Sequence, residues 1–155
     1  MILGLILAAV VIVLDQLSKF YVFNYVLADT NYIMYTPFFN LIKAWNTGVS
    51  FSIFSDSGIY GVIGLSVFAI FVIVCLLIWL YREQVKINKV ALGLIIGGAI
   101  GNVIDRIRFG AVFDFLDFYV GDYHWPAFNV ADSAIFIGAV LLIVQSTFAI
   151  KPKNS

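Results

Sequence analysis

The chain has 155 residues, 63% hydrophobic and 12% charged, with no net formal charge and a mean hydropathy of +1.03. A soluble domain carries roughly 25% charged residues, so a chain this apolar takes lipid as its solvent, and one domain is the natural count at this length. Zero net charge argues against nucleic acid as a partner, while a lone cysteine, Cys75, and a lone histidine, His124, leave no intrachain disulfide and no His/Cys zinc site.

Met1–Leu14 is an unbroken apolar run, followed by Asp15-Gln16-Leu17-Ser18-Lys19 and the aromatics Phe20, Tyr21, Phe23 and Tyr25. No basic residue precedes Lys19, so the run reads as a retained first span over 3–26 and not as a cleaved signal peptide. Residues 28–58 are too polar to cross a membrane. Val49–Ile53 alternates with the strand period, Phe39–Trp45 is its expected partner strand, and Asn46-Thr47-Gly48 supplies the turn. A small sheet resting on the membrane surface between the first two spans is expected. Ile59–Tyr81 carries no charge and forms the second span, and Arg82, Glu83, Lys86 and Lys89 form a charged turn after it. The third span is expected over 90–107. Gly93, Gly97 and Gly101 recur every fourth residue there, with Gly98 beside them, as a close-packing face. A loop over 108–128 follows, strand-like in places, and 129–150 makes the fourth span. The fold class is a four-helix membrane bundle with a small β element on its outer side.

Four spans put both termini on one side, with Arg82, Lys86, Lys89, Lys151 and Lys153, against Lys19, Lys43, Arg106 and Arg108 opposite. The positive-inside rule makes the termini cytoplasmic. All eight aspartates then lie at or toward the outer side. Ionisable groups beside spans are costly and mark function, and Gly98–Ser133 holds five aspartates, two asparagines and two arginines.

Asp114 follows the third span and Asp132 opens the fourth, so both fall at one membrane surface. Two carboxylates that converge there would share a proton, one acting as base toward water and the other as acid toward a carbonyl. The plainer alternative makes Asp132 a first-turn helix acid and Asp114 a solvated loop residue. Asn102, Asp105 and Arg106 follow Gly98 on one side of the third span, as a buried network or as interfacial residues reaching for headgroups. Asp15 and Lys19 are spaced for a helix ion pair, either functional or snorkelling outward. Asn129, three residues before Asp132, caps the helix or holds that carboxylate. His124 and Trp125 are expected at the interface, and Asp117 and Asp122 facing water.

DQLSK, NTGVSFS, GNVIDR, GAVFDFLDF and FNVADSAI, in that order over nearly the whole chain, resemble the lipoprotein signal peptidases, or signal peptidase II. The resemblance implies a four-span inner-membrane aspartic endopeptidase without cofactor or metal, with an extracytoplasmic sheet; a four-span chain with one site could act alone, so a monomer is expected. It would remove the signal peptide of a diacylglyceryl-modified prolipoprotein before the lipidated cysteine, with substrate and membrane lipid as its partners. It also implies Asp114 and Asp132 as the dyad and Asn102 and Arg106 as supporting and substrate-contacting residues. Asp105 would be a structural partner, and Asp15, Lys19, Asn46, Gly48 and Asn129 also fall on the pattern. Val49 and Ser50 stand where the family usually has two alanines, which bears on loop packing and not on the dyad. The outer loop around Asn46-Thr47-Gly48 would close over the site as a lid. The rival from the residues alone is a small proton-coupled transporter using Asp15, and a scaffold is a third option; a transporter's acid belongs near the midplane.

Overall fold

The computed structural model describes residues 1–48 and 58–149. Four helices in it are long and apolar enough to cross a membrane. Helix α1 (Ile2–Tyr21) runs into a π turn (Val22–Val26), where Leu27 N donates to Val22 O at 2.8 Å. Strands β1 (Tyr32–Thr36) and β2 (Phe39–Asn46) follow, then α2 (Gly58–Arg82) and α3 (Lys86–Phe109). Strands β3 (Val112–Val120) and β4 (Tyr123–His124) lead into α4 (Val130–Ala149).

The third helix is longer than expected at both ends. Lys86 and Lys89 belong to its first turns, which shortens the charged turn to Glu83–Val85. Gly110, at φ +72°, ends it in the left-handed conformation that lets its N–H reach Arg106 O at 3.0 Å.

Helix α3 is the hub, packed on α1, α2 and α4. Lipid tails are as apolar as the helices, so association depends on close packing and not on exclusion from water. The glycines supply it. A Cβ on Gly97 would sit 2.7 Å from Ala8 O, one on Gly93 would meet the Gly4 backbone, and one on Gly101 would sit 2.7 Å from Asp15 Oδ2. Gly98 faces α4 the same way at Ala131 O, and Gly138 of α4 returns the contact at Ala91 O. The expected glycine face therefore serves two neighbours at once.

The four strands form one antiparallel sheet in the order β1-β2-β3-β4. Strand β2 pairs with β1 on one edge over Phe39–Ile42 and with β3 on the other over Phe39–Asn46; the strand expected over Val49–Ile53 lies outside the described residues. Strand β3 comes from the segment between α3 and α4, so the sheet joins that segment to the one between α1 and α2, and is not built from the latter alone. Phe113 and Phe115 of β3 pack against Val22 and Phe23 of the π turn and against Leu27 just beyond it. Strand alternation turns Asp114, between them, to the other face, toward Asn129.

Candidate active site

The first turn of α4 presents backbone N–H groups that need acceptors. Asn129 Oδ1 accepts from Asp132 N at 2.9 Å, and Asp132 Oδ2 accepts from Asn129 N at 3.3 Å, a reciprocal cap. Asp15 Oδ1, from α1, accepts from Ala131 N at 2.9 Å. Asn129, fully buried, both caps the helix and holds a carboxylate. Its Nδ2 donates to Asp114 Oδ1 at 2.6 Å, with Asn102 Oδ1 at 3.2 Å and Phe113 O at 3.3 Å also in reach. One residue thus donates to an oxygen of each aspartate and draws the two together. Asn102 Nδ2 donates to Asp132 Oδ1 at 2.7 Å, and Asn46 Nδ2 donates to Asp114 Oδ2 at 3.1 Å. Asn46 reaches because Ala44 pairs with Asp114, which makes Asn46 the diagonal neighbour on the same face. Asp114 is 2% exposed, so the solvated-loop alternative is overturned.

Behind Asn102 lies a buried ion cluster. Lys19 Nζ is 2.8 Å from both Asp15 Oδ2 and Asp105 Oδ2, and donates to Asn102 Oδ1 at 3.3 Å. Lys19 is buried and does not snorkel, and Asp105 is buried and does not reach for headgroups. Asp105 Oδ2 also accepts from Phe113 N at 3.2 Å, which ties the end of α3 to the start of β3 one residue before Asp114. Gln16 was missed by sequence reasoning. Its Nε2 bridges Asp15 Oδ2 at 3.1 Å, Asp105 Oδ1 at 3.0 Å and Gly101 O at 3.3 Å. Its signal was there, an amide inside an apolar run between two residues already singled out.

Burial pushes the Asp114 carboxyl up from 3.8 to about 6; the Asp132 charge adds to the rise, and the bonds from Asn46 and Asn129 oppose it. Arg106 lies within electrostatic reach of Asp132, Asp114 and Asp105, and its buried Nε has no hydrogen-bond partner among the described residues. Gly48, at φ +92°, donates its N–H to Asn46 Oδ1 at 2.8 Å, which forms the expected turn. A side chain there would collide with Leu65, next to the Arg106 guanidinium.

Asp117 does not face water as expected. It is 4% exposed, accepts from Asn40 Nδ2 at 2.8 Å and lies 2.9 Å from His124 Nδ1. The residue directly opposite Asp117 on β2 is Asn40, which makes this a cross-strand pair fixing the sheet, apart from the dyad. Asp122, His124 and Trp125 are exposed at the β3–β4 end. Among the described residues no three His, Cys, Asp or Glu side chains converge so as to hold a metal.

The sequence profile of the family described as Signal peptidase (SPase) II matches residues 7–148. The lipoprotein signal peptidase of Rhodopseudomonas palustris (strain TIE-1) is 43% identical over 149 residues, covering 93% of this chain and 91% of that protein. That of Aeromonas hydrophila is 42% identical over 150 residues, covering 96% and 90%. A bacterial membrane enzyme structure obtained by the in meso method at 2.3 Å superposes with a TM-score of 0.81 at 26% identity, covering 98% of this chain and 92% of that one. Another at 1.9 Å superposes with a TM-score of 0.76 at 28% identity, covering 97% and 94%.

Proposed function

The chain belongs to the signal peptidase II family, and we propose that it cleaves diacylglyceryl-modified prolipoproteins before the lipidated cysteine with Asp114 and Asp132 as an acid–base pair. The observation that carries this reading is Asn129, which donates to one oxygen of each carboxylate and so holds two acids at the head of α4. Asp114, raised to about 6, is the member that carries the shared proton. Asp132, in the first turn of α4 where the helix N-terminus favours an anion, carries the charge.

In the proposed step, a water between the carboxylates gives a proton to Asp132 as its oxygen attacks the scissile carbonyl carbon. Asp114 passes its proton to the carbonyl oxygen, leaving a neutral gem-diol. On collapse Asp132 returns its proton to the amide nitrogen, the C–N bond breaks and a gem-diol hydroxyl reprotonates Asp114. The pair ends as it began. Arg106 Nε, buried without a hydrogen-bond partner among the described residues, is left to hold a substrate carbonyl, and Asn102, Asn46 and Asn129 keep the carboxylates oriented. Lys19, Asp15 and Asp105 act through Asn102 and the α4 cap as positioning residues, and Gly48 leaves room beside Arg106. With the termini cytoplasmic, the site faces the outer surface, where acyl chains and an apolar signal helix stay in lipid while the scissile bond meets the acids. One chain carries every group named, so a monomer suffices.

The test uses purified protein in detergent and a diacylglyceryl-modified prolipoprotein peptide, with cleavage read by gel shift. Asp114→Asn and Asp132→Asn should each lower the rate by at least about 100-fold while keeping the wild-type helical circular dichroism. Wild-type rates in both folded variants would remove the dyad.

A further inference from the structure

The face of β3 turned away from the dyad borders a second feature. A groove of about 350 Å³ runs between the sheet-side ends of α1 and α3, walled by Phe20, Phe23, Trp45, Phe109 and Phe113, with Arg108 at its rim. This volume falls in the range of ligand sites. Trp45 stands in the middle, its ring centroid 5.8 Å from that of Phe23 and 5.5 Å from that of Phe109. Each of those two rings carries a cation: Lys43 Nζ is 4.8 Å from the Phe23 centroid and Arg108 Cζ is 4.9 Å from the Phe109 centroid. Among the described residues neither cation has a carboxylate within ion-pair distance. At the floor, Asp105 is 1% exposed and both its oxygens are taken, by Gln16, Lys19 and Phe113 N, so its charge is sealed off from the rim.

Depth narrows the occupant. The 24 residues of α3 rise about 36 Å, more than the roughly 30 Å of bilayer hydrocarbon. Arg108 and Phe109, in its last turn, therefore stand at headgroup level, with the aromatic walls reaching toward the acyl region. We propose that this groove binds an anionic phospholipid of the surrounding bilayer, one acyl chain against Phe23, Trp45 and Phe109 and the phosphate at Arg108, with Lys43, which stacks on the Phe23 wall, adding positive charge beside the lining. Aromatic walls without the cations would take any acyl chain, and the cations without the walls would take any phosphate. Their combination selects a charged lipid.

Trp45 makes the proposal testable. With Trp79→Phe and Trp125→Phe, Trp45 is the only tryptophan, and its fluorescence reports a quencher in the groove. The protein goes into phosphatidylcholine nanodiscs containing a small fraction of phosphatidylglycerol or of phosphatidylcholine with brominated acyl chains. Brominated phosphatidylglycerol should quench at roughly tenfold lower mole fraction, the preference expected of two basic side chains at a membrane surface. The double variant Lys43→Gln, Arg108→Gln should quench equally with both lipids and still cleave substrate. Arg108→Gln alone should lose part of the preference. Equal quenching by the two lipids in the unsubstituted rim means ordinary bulk-lipid contact and overturns the proposal. So does no quenching at all, as when a polypeptide segment fills the groove, or a preference that survives both substitutions.

Discussion

Asp114 is the residue whose environment is most at odds with its charge. A carboxyl raised from 3.8 to about 6 binds its proton more tightly in the folded protein than in the unfolded chain. Its contribution to stability is therefore whole below about pH 3.8 and is lost as pH rises through about 6, a change on the order of 3 kcal/mol. Asp114→Asn gives up one hydrogen-bond acceptor, a loss that does not depend on pH. The melting temperature of the variant relative to wild type should therefore climb between pH 4 and pH 7; a flat difference would show that Asp114 is not strained by burial. For catalysis, kcat/KM should fall as pH rises past about 6, where the pair loses its shared proton. The kcat limb should lie higher, because bound substrate excludes water and raises that step further. A kcat/KM still rising at pH 8 would contradict the assignment. Lys19 matters through its two buried ion pairs. Removing it in Lys19→Met leaves Asp15 and Asp105 facing each other in a buried site, and the loss should be about 3–5 kcal/mol together with most of the cleavage activity. Urea-independent folding at wild-type melting temperature would count against the cluster as a structural unit.

Among the elements, α3 carries the tightest constraint. Its glycines let α1 and α4 approach until backbone oxygens meet the positions where side chains would stand. Gly97→Ala puts a methyl group 2.7 Å from Ala8 O, a backbone atom that cannot swing aside, and should cost about 1–3 kcal/mol. Gly64, on the outward face of α2 with nothing within 4 Å, is the control, and Gly64→Ala should leave the melting temperature unchanged or slightly raised. Equal effects at the two sites would mean that helix approach does not govern stability. The sheet is fastened separately by the Asn40–Asp117–His124 chain, and Tyr32 Oη adds a bond to Asn40 Oδ1 at 3.0 Å. That chain accounts for a buried Asp117 without giving it a part in the chemistry.

At the scale of the whole molecule, the protein turns its apolar surface outward. Helix α2 presents Val67, Phe68, Phe71, Val74 and Ile78 to its surroundings, and Cys75 lies among them. In vesicles, Cys75 should resist a charged, water-soluble maleimide and react with a hydrocarbon-soluble one, since its thiol faces lipid. Labelling by the charged reagent in sealed vesicles would place α2 outside the bilayer. The proton-coupled transporter has no support from this architecture: Asp15 is locked between Lys19 and the α4 N-terminus, and membership of a peptidase family makes the chain an enzyme.

Four spans, the glycine stripe and the acid-rich ends of two apolar runs were all legible in the residues. Hydrocarbon thickness sets the length of a span, helical period sets the stripe, and the cost of charge near lipid marks the acids. These are local properties that a few turns of chain express alone. The ambiguous 108–128 segment, the partners of β2, the burial of Asp117 and the reach of Gln16 were not legible. Strand pairing joins residues about 70 positions apart, and no local pattern specifies which edge a strand meets. The meeting of Asp114 with Asp132 belongs to the same class. It depends on α3, β3 and α4 arriving at one point, where Asn129 can donate to both.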